Sequence, residues 1–213
     1  MDILKVFQQR YTTKHYDPDS KISALDMEEL LEIVRLTPSA VNIQPWHFYI
    51  GSSDKAKELI MPAIPDFNIP RIKDCSHFVV LCAKTHMDEE ELSRITQKET
   101  EDGRYTKEHI KLEVDAHRKH FAKMHADLGD FKEWTAKQTY LAMASLLYGA
   151  AAKGIDSTPI EGMDFDKTDE ILNLKKDNLR SVAIVALGYR KDDSNAARPK
   201  SRLSIQDIIS SLD

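Results

Sequence analysis

Residues 131–153 do most to limit what this chain can fold into. The stretch is rich in alanine and leucine, and 139–152 is fourteen residues without a charge. It predicts one long helix, stopped by Gly154 where a left-handed backbone follows the cap. A helix that is apolar around most of its circumference has no wet side, so other elements must cover it. It is too short to cross a bilayer, which takes about 20 apolar residues. The remaining chain must therefore build layers around a central helix.

Strand material for those layers is sparse. Residues 78–83 (FVVLCA) and 181–187 (SVAIVAL) are continuous apolar runs, the pattern of strands covered on both faces. Residues 46–51 are aromatic and β-branched between Pro45 and Gly51 and predict a third strand. Helices are predicted over 2–9, from Ser23 to just before Pro38, and over 54–61. Ser23 and Asp26 resemble a capping box, and Met27, Leu30, Leu31 and Val34 follow as an apolar stripe. The charged stretch 88–127 predicts one or two surface helices, with Leu112, Ala116 and Phe121 facing inward. A short helix is expected over 166–173, a loop over 191–203 and a short terminal segment over 205–212. Few strands and no regular β-α-β alternation give an α+β class, a small mixed sheet wrapped by helices. No linker divides the chain, so 1–213 is expected to be a single domain.

Charge narrows the function. Thirty Lys and Arg against 35 Asp and Glu leave a net charge of −5, with no basic excess to bind a nucleic-acid backbone. Seven glycines and eight prolines leave no glycine-rich phosphate loop. Asp2, Lys5 and Arg10 break the N-terminus, so no secretory signal is expected. Cys75 and Cys82 do not form CxxC and read as reduced thiols of a cytoplasmic protein. His109, His117, His120 and His125 share one charged stretch and read as solvated histidines, with no HExxH to suggest a metal. No GxSxG supports a serine hydrolase, and only Cys75 has a neighbouring histidine, His77.

Four segments hold the remaining chemistry. Arg10, Thr12 and Lys14 alternate, placing three polar groups on one side of an extended segment. Lys200 and Arg202 repeat that alternation after Pro199. Two cations and a hydroxyl can grip a phosphate without a glycine loop, although short basic clusters also occur simply as solvated surface. Residues 37–46 (TPSAVNIQPW) join a helix to a strand through two prolines, with small and amide side chains between them. That composition suits close approach of a flat ligand, or an ordinary connection. Residues 159–162 (PIEG) end in a glycine that can turn a neighbouring amide toward a ligand, or form a plain turn.

In this order, Arg-x-Thr-x-Lys, Pro-Ser-x-x-Asn-x-Gln-Pro-Trp, Pro-x-Glu-Gly and Lys-x-Arg resemble the FMN-dependent nitroreductase family. Matching stretches run nearly end to end. The resemblance implies a nitroreductase-like sandwich forming an intertwined homodimer, with FMN at the interface and NADH or NADPH as co-substrate. It implies that Arg10, Thr12 and Lys14 contact the flavin and that Lys200 and Arg202 hold its phosphate. Pro38, Ser39, Ala40 and Asn42 would approach the same flavin from the partner subunit. Asn68 and Arg71 would meet the ring edge and ribityl region, with Arg71 standing where the family has lysine. Glu161 and Gly162 would place a backbone amide near flavin N5, and Phe121 would line the substrate entrance. Thr12 and Ala40 each replace a serine; the first keeps a hydroxyl and the second loses one. The implied activity is two-electron transfer from NAD(P)H to nitroaromatics, quinones or pterins by a ping-pong mechanism, without a protein nucleophile or metal. The alternatives are an enone reductase on the same cofactor and a non-catalytic flavin-binding dimer.

Overall fold

The computed structural model describes residues 2–212. Helices α1 (Ile3–Gln9) and α2 (Ala24–Arg35) lead into β1 (Trp46–Gly51), followed by α3 (Asp54–Ile60), α4 (Ile69–Asp74) and β2 (His77–Lys84). Helices α5 (Glu89–Glu101), α6 (Glu108–Leu128) and α7 (Phe131–Ala152) come next. The chain continues through β3 (Asp156–Ile160), α8 (Phe165–Ile171), β4 (Leu179–Gly188) and α9 (Ile205–Ile208). The strands form one four-stranded sheet in the order β1-β2-β4-β3, with every pair antiparallel.

The α+β class and the helix-wrapped sheet agree with the sequence reading, but the strand direction does not. The expected mixed sheet is antiparallel throughout these strands, and a parallel pairing occurs only as an isolated bridge between Thr12 and Ser157. Continuous apolar runs report burial on both faces, not strand direction. Val79, Leu81, Val185 and Leu187 face α2 and α7 through Leu30, Val34, Ala142 and Leu146. Phe78, Val80, Ile184 and Ala186 face the other way, onto Ile60 of α3, Ile72 of α4 and Tyr16. A smaller cluster of Ile43, Leu92, Ala122, Phe131 and Trp134 seats α5 and α6 on the start of α7.

Helix α7 is central, as its composition requires. Gly149 lets α2 approach it closely; a Cβ there would lie 3.0 Å from Ile33 Cδ1. The helix ends in a Schellman turn: Gly154 has φ 72°, its N–H donates to the Ala151 carbonyl at 3.1 Å, and Ile155 N–H donates to that of Ala150 at 2.9 Å.

Elements absent from the sequence reading are β3 and α4. β3 (DSTPI) is polar and holds Pro159, which is tolerated because β3 pairs on one side only. The inward face of α6 is also corrected. Leu112, Ala116 and Phe121 are all exposed, while Arg118 and Ala122 are buried. Apolar residue types point to those three positions, but the seam is built around a buried cation. His125 is likewise not a solvated histidine: its ring stacks on Trp134 at 4.2 Å and its Nδ1 lies 2.7 Å from Asp130 Oδ1.

Both thiols are buried and unpaired. Burial pushes Cys75 up to about 11 and Cys82 up to about 12, so neither is a nucleophile at neutral pH. Gly51 lies opposite Phe78 in the sheet, and a Cβ at Gly51 would overlap the Phe78 ring. Gly51→Ala should therefore cost about 1–3 kcal/mol by overpacking, read as a lower Tm; an unchanged Tm would show that the ring swings aside freely.

Candidate functional site

The two alternating basic segments come from opposite ends of the chain and meet. Arg10 caps α1 in an extended conformation, and the backbone runs on to Thr13, whose N–H reaches the Ser157 carbonyl at 3.4 Å. The C-terminal segment is tied along this run. Asp193 Oδ2 accepts from Lys14 N–H at 2.5 Å, and Asn195 Nδ2 donates to the Thr12 carbonyl at 2.8 Å. Lys200 Nζ donates to the Arg10 carbonyl.

These contacts frame a cleft of 770 Å³ whose lining includes Arg10, Thr12, Arg198, Lys200 and Arg202. Five cations line it, Arg190 being the fifth, and no carboxylate does. Arg190 is committed to Asp156 at 2.9 Å, whereas none of the other four forms an ion pair with a carboxylate among the described residues. Lys200 has its pKa lowered by burial and then by the nearby Arg10 and Arg202 guanidinium groups. Cations crowded in this way, with no acid among them, make an anion site. A larger cleft of 920 Å³ lies by Trp46, Met87 and Ile95, but Lys84, Arg94 and Lys98 there face Glu91, Glu101 and Asp177. It has no net charge to select an anion and holds none of the expected site residues.

A second group lies around Arg71. Its Nη1 donates to Asn68 Oδ1 at 2.6 Å and to the Phe67 carbonyl, while its buried Nε has no partner. Asn68 in turn donates through Nδ2 to the Gly162 carbonyl at 2.9 Å. There is little room for a side chain at Gly162, where a Cβ would lie 3.2 Å from Phe67 Cζ and 3.3 Å from Asn68 Nδ2. Glu161 Oε1 accepts from the Tyr140 hydroxyl at 2.8 Å. Burial, with the Glu161 carboxylate adding to it, pushes Tyr140 up to about 12, so its proton stays in that bond. Lys14 joins the group electrostatically: burial and then Arg71 lower its pKa, against the pull of Asp193.

Of the expected site residues, Arg10, Thr12, Lys200 and Arg202 line the basic cleft; Lys14, Asn68, Arg71, Glu161 and Gly162 do not line it but make up the second group, and Pro38, Ser39, Ala40, Asn42 and Phe121 do not line it either. Residues 40–42 form a short 3-10 turn in which Val41 and Asn42 have φ of 47° and 51°, and Gln44 follows at 46°. Ala40 N–H donates to Gln138 Oε1 at 2.8 Å and Gln44 N–H to Ser39 Oγ at 3.0 Å. Phe121 lies one helical turn beyond Arg118 on α6, with its ring half exposed.

Sequence reading missed three contributors. Arg198 extends the Lys200 and Arg202 alternation by one step, so the same pattern could have found it. Asn195 and Tyr140 carry no such signal, because one sits in a polar loop and the other on a helix remote in sequence from Glu161. Among the described residues no group of three or more His, Cys, Asp or Glu is placed to hold a metal ion. No helix among them is long and apolar enough to cross a membrane.

The model of the Nitroreductase family matches residues 7–189. The chain is 38% identical to the oxygen-insensitive NAD(P)H nitroreductase of Salmonella typhimurium, over 100% of both chains. It is 34% identical to the major NAD(P)H-flavin oxidoreductase of Aliivibrio fischeri, over 99% of this chain and 98% of that one. A crystal structure from Exiguobacterium sibiricum, in complex with FMN, matches with a TM-score of 0.85 and 26% identity, covering 99% of this chain and 97% of the other.

Proposed function

The chain belongs to the nitroreductase family, and from that premise we infer that it is an FMN-dependent oxidoreductase using NAD(P)H, with its flavin phosphate in the Arg10–Lys200 cleft. The observation that carries this placement is the convergence of two basic segments, remote in sequence, on one cleft without a carboxylate. The residues fit the cofactor. Arg10, Arg198, Lys200 and Arg202 suit a phosphate monoester, since guanidinium groups can grip its oxygens in pairs. The unpartnered Arg71 Nε and the confined Gly162 suit the polar edge of a flat ring, which needs donors and close backbone approach.

When bound, FMN supplies two-electron transfer from NAD(P)H to an oxidant. The protein's part is binding, orientation and electrostatics. Lys14 and Arg71 would hold positive charge toward the ring and offset negative charge gathered there. Tyr140 holds the Glu161 carboxylate, and Asn68 holds the Gly162 carbonyl, so the turn that would face the ring is fixed from both ends. Phe121 supplies an exposed aromatic surface for a flat acceptor such as a nitroaromatic, a quinone or a pterin.

The loop bearing Ser39 and Asn42 is absent from the cleft of its own chain, which supports a homodimer in which it reaches the partner's flavin. Two further features favour that assembly. Leu203, Ile205, Ile208 and Ile209 are all exposed on the C-terminal arm, and Leu141 is exposed on the same face of α7 as Tyr148. Apolar surface of this kind marks an interface. An obligate interface would bury more than about 2,000 Å². The two unpaired cysteines suit a reducing, cytoplasmic setting.

Steady-state kinetics test this reading. One cleft serving donor and acceptor in turn should give parallel double-reciprocal lines. Intersecting lines would require both substrates bound together and would contradict it. Light scattering on the same preparation should return the dimer mass; an active, flavin-bound monomer would remove the partner's loop from the site.

A further inference from the structure

The Ser39–Asn42 segment is held in a conformation it would not adopt alone. Val41 is β-branched and sits at φ 47°, where such a side chain crowds its own backbone, and Asn42 and Gln44 also have positive φ. Backbone of this kind persists only when its surroundings over-determine it. Here the surroundings are a buried polar chain that ends on the strained residues. Arg118 has no exposed surface; its Nε donates to the Val41 carbonyl at 3.0 Å and its Nη2 to Glu99 Oε2 at 2.7 Å. Its Nη1 donates to Thr96 Oγ1 at 2.5 Å, and Thr96 donates on to Asp115 Oδ1 at 2.7 Å. The other oxygen of Glu99, Oε1, accepts from Asn42 Nδ2 at 2.7 Å.

A buried ion pair is a poor source of net stability and is better suited to selecting one conformation. Both members of this pair terminate on the loop, one on a backbone carbonyl and one on a side-chain amide. We propose that Arg118 and Glu99 are positioning residues for the flavin, holding residues 39–42 in the strained form that meets the cofactor. The inference rests on the assignment of this loop to the FMN site made above. The same pair also joins the loop to α6, which carries Phe121 one turn away, so the flavin contact and the acceptor rim form one unit.

The test is fluorescence titration with FMN of wild-type apoprotein, Arg118→Lys and Glu99→Gln, each with its Tm, at a temperature below every transition. Arg118→Lys keeps the charge but cannot reach Val41, Thr96 and Glu99 at once. Glu99→Gln keeps the volume and an acceptor for Asn42 but leaves Arg118 unpaired. Leu30→Ala is the control, a core truncation in the sheet-facing cluster, to which residues 39–42 do not belong. Both positioning variants should raise the FMN Kd by about tenfold or more, the scale of one charge-assisted hydrogen bond. Leu30→Ala should lower Tm with Kd changed less than about twofold. Lowered Tm with unchanged Kd in either foldable positioning variant would make the pair purely structural and overturn the proposal. Wild-type protein that ignores FMN would instead overturn the site assignment itself, so the wild-type titration separates the two failures.

Discussion

Replacing Arg10 and Lys200 together by alanine should weaken FMN binding by about two to four orders of magnitude. Each hydrogen bond to a charged phosphate is worth about 1.5–3 kcal/mol, and each 1.4 kcal/mol is roughly tenfold in affinity. The two side chains are neighbours, since Lys200 donates to the Arg10 carbonyl, so their effects will not add independently. The single variants should bracket the range. Affinity should also fall with added salt, because the cleft holds cations without a compensating carboxylate. Titration by flavin fluorescence at fixed ionic strength checks both points. A double variant that binds FMN within about threefold of wild type, too little for even one such bond, would move the phosphate elsewhere.

Arg118→Met should cost about 3–5 kcal/mol of stability, because it takes the buried cation at 2.7 Å from the Glu99 carboxylate and leaves only the exposed Arg104 at 3.7 Å. For a chain of this length each kcal/mol lowers Tm by roughly 2–4 °C. The pH dependence distinguishes this mechanism from a simple packing loss. In the wild type, burial pushes Glu99 upward, but hydrogen bonds from Tyr105, Asn42 and Arg118 outweigh it and hold the carboxyl below its usual range. A carboxyl depressed on folding adds stability above its unfolded pKa and loses it as pH falls through the folded one. Without Arg118 burial prevails, so the folded state prefers the protonated acid and gains stability as pH falls. The Tm gap between wild type and variant should therefore narrow toward about pH 4.3, the ordinary glutamate value. A gap independent of pH would mean that the loss is packing alone.

Much of the scaffold was legible because its signals are local. The uncharged run 139–152 had to be central, and it is; the buried strands β2 and β4 contain the two apolar runs. Gly154 stops α7 because the turn needs a left-handed residue there. What escaped was set by tertiary partners. β3 looks like a polar loop in sequence and becomes a strand only because β4 offers it an edge. The seam of α6 holds Arg118, and no periodicity of apolar residues can reveal a buried arginine whose partner lies on α5.

The site divides in the same way. Arg10, Thr12, Lys200 and Arg202 were legible as two alternating clusters, and folding brings them to one cleft. Asn68 and Arg71 were named only through resemblance, since nothing local marks them, whereas Glu161 and Gly162 lie in a turn that the glycine itself marks. Their geometry adds what resemblance did not hold: the Asn68 bond to Gly162 and the Tyr140 bond to Glu161. Arg71 in place of lysine spends one arm on Asn68 and Phe67 and keeps Nε free, so the exchange alters direction more than charge. The Ala40 exchange is accommodated without a side-chain hydroxyl, because its contact to Gln138 runs through the backbone N–H.

Anaerobic mixing of the FMN-loaded protein with NADH or NADPH, followed by a nitroaromatic or a quinone, is the most direct test that this chain is an FMN-dependent NAD(P)H oxidoreductase. Flavin absorbance should bleach with one equivalent of nucleotide and return when the oxidant is added. Protein that stays colourless with added FMN, or bound flavin that neither nucleotide bleaches, would contradict it.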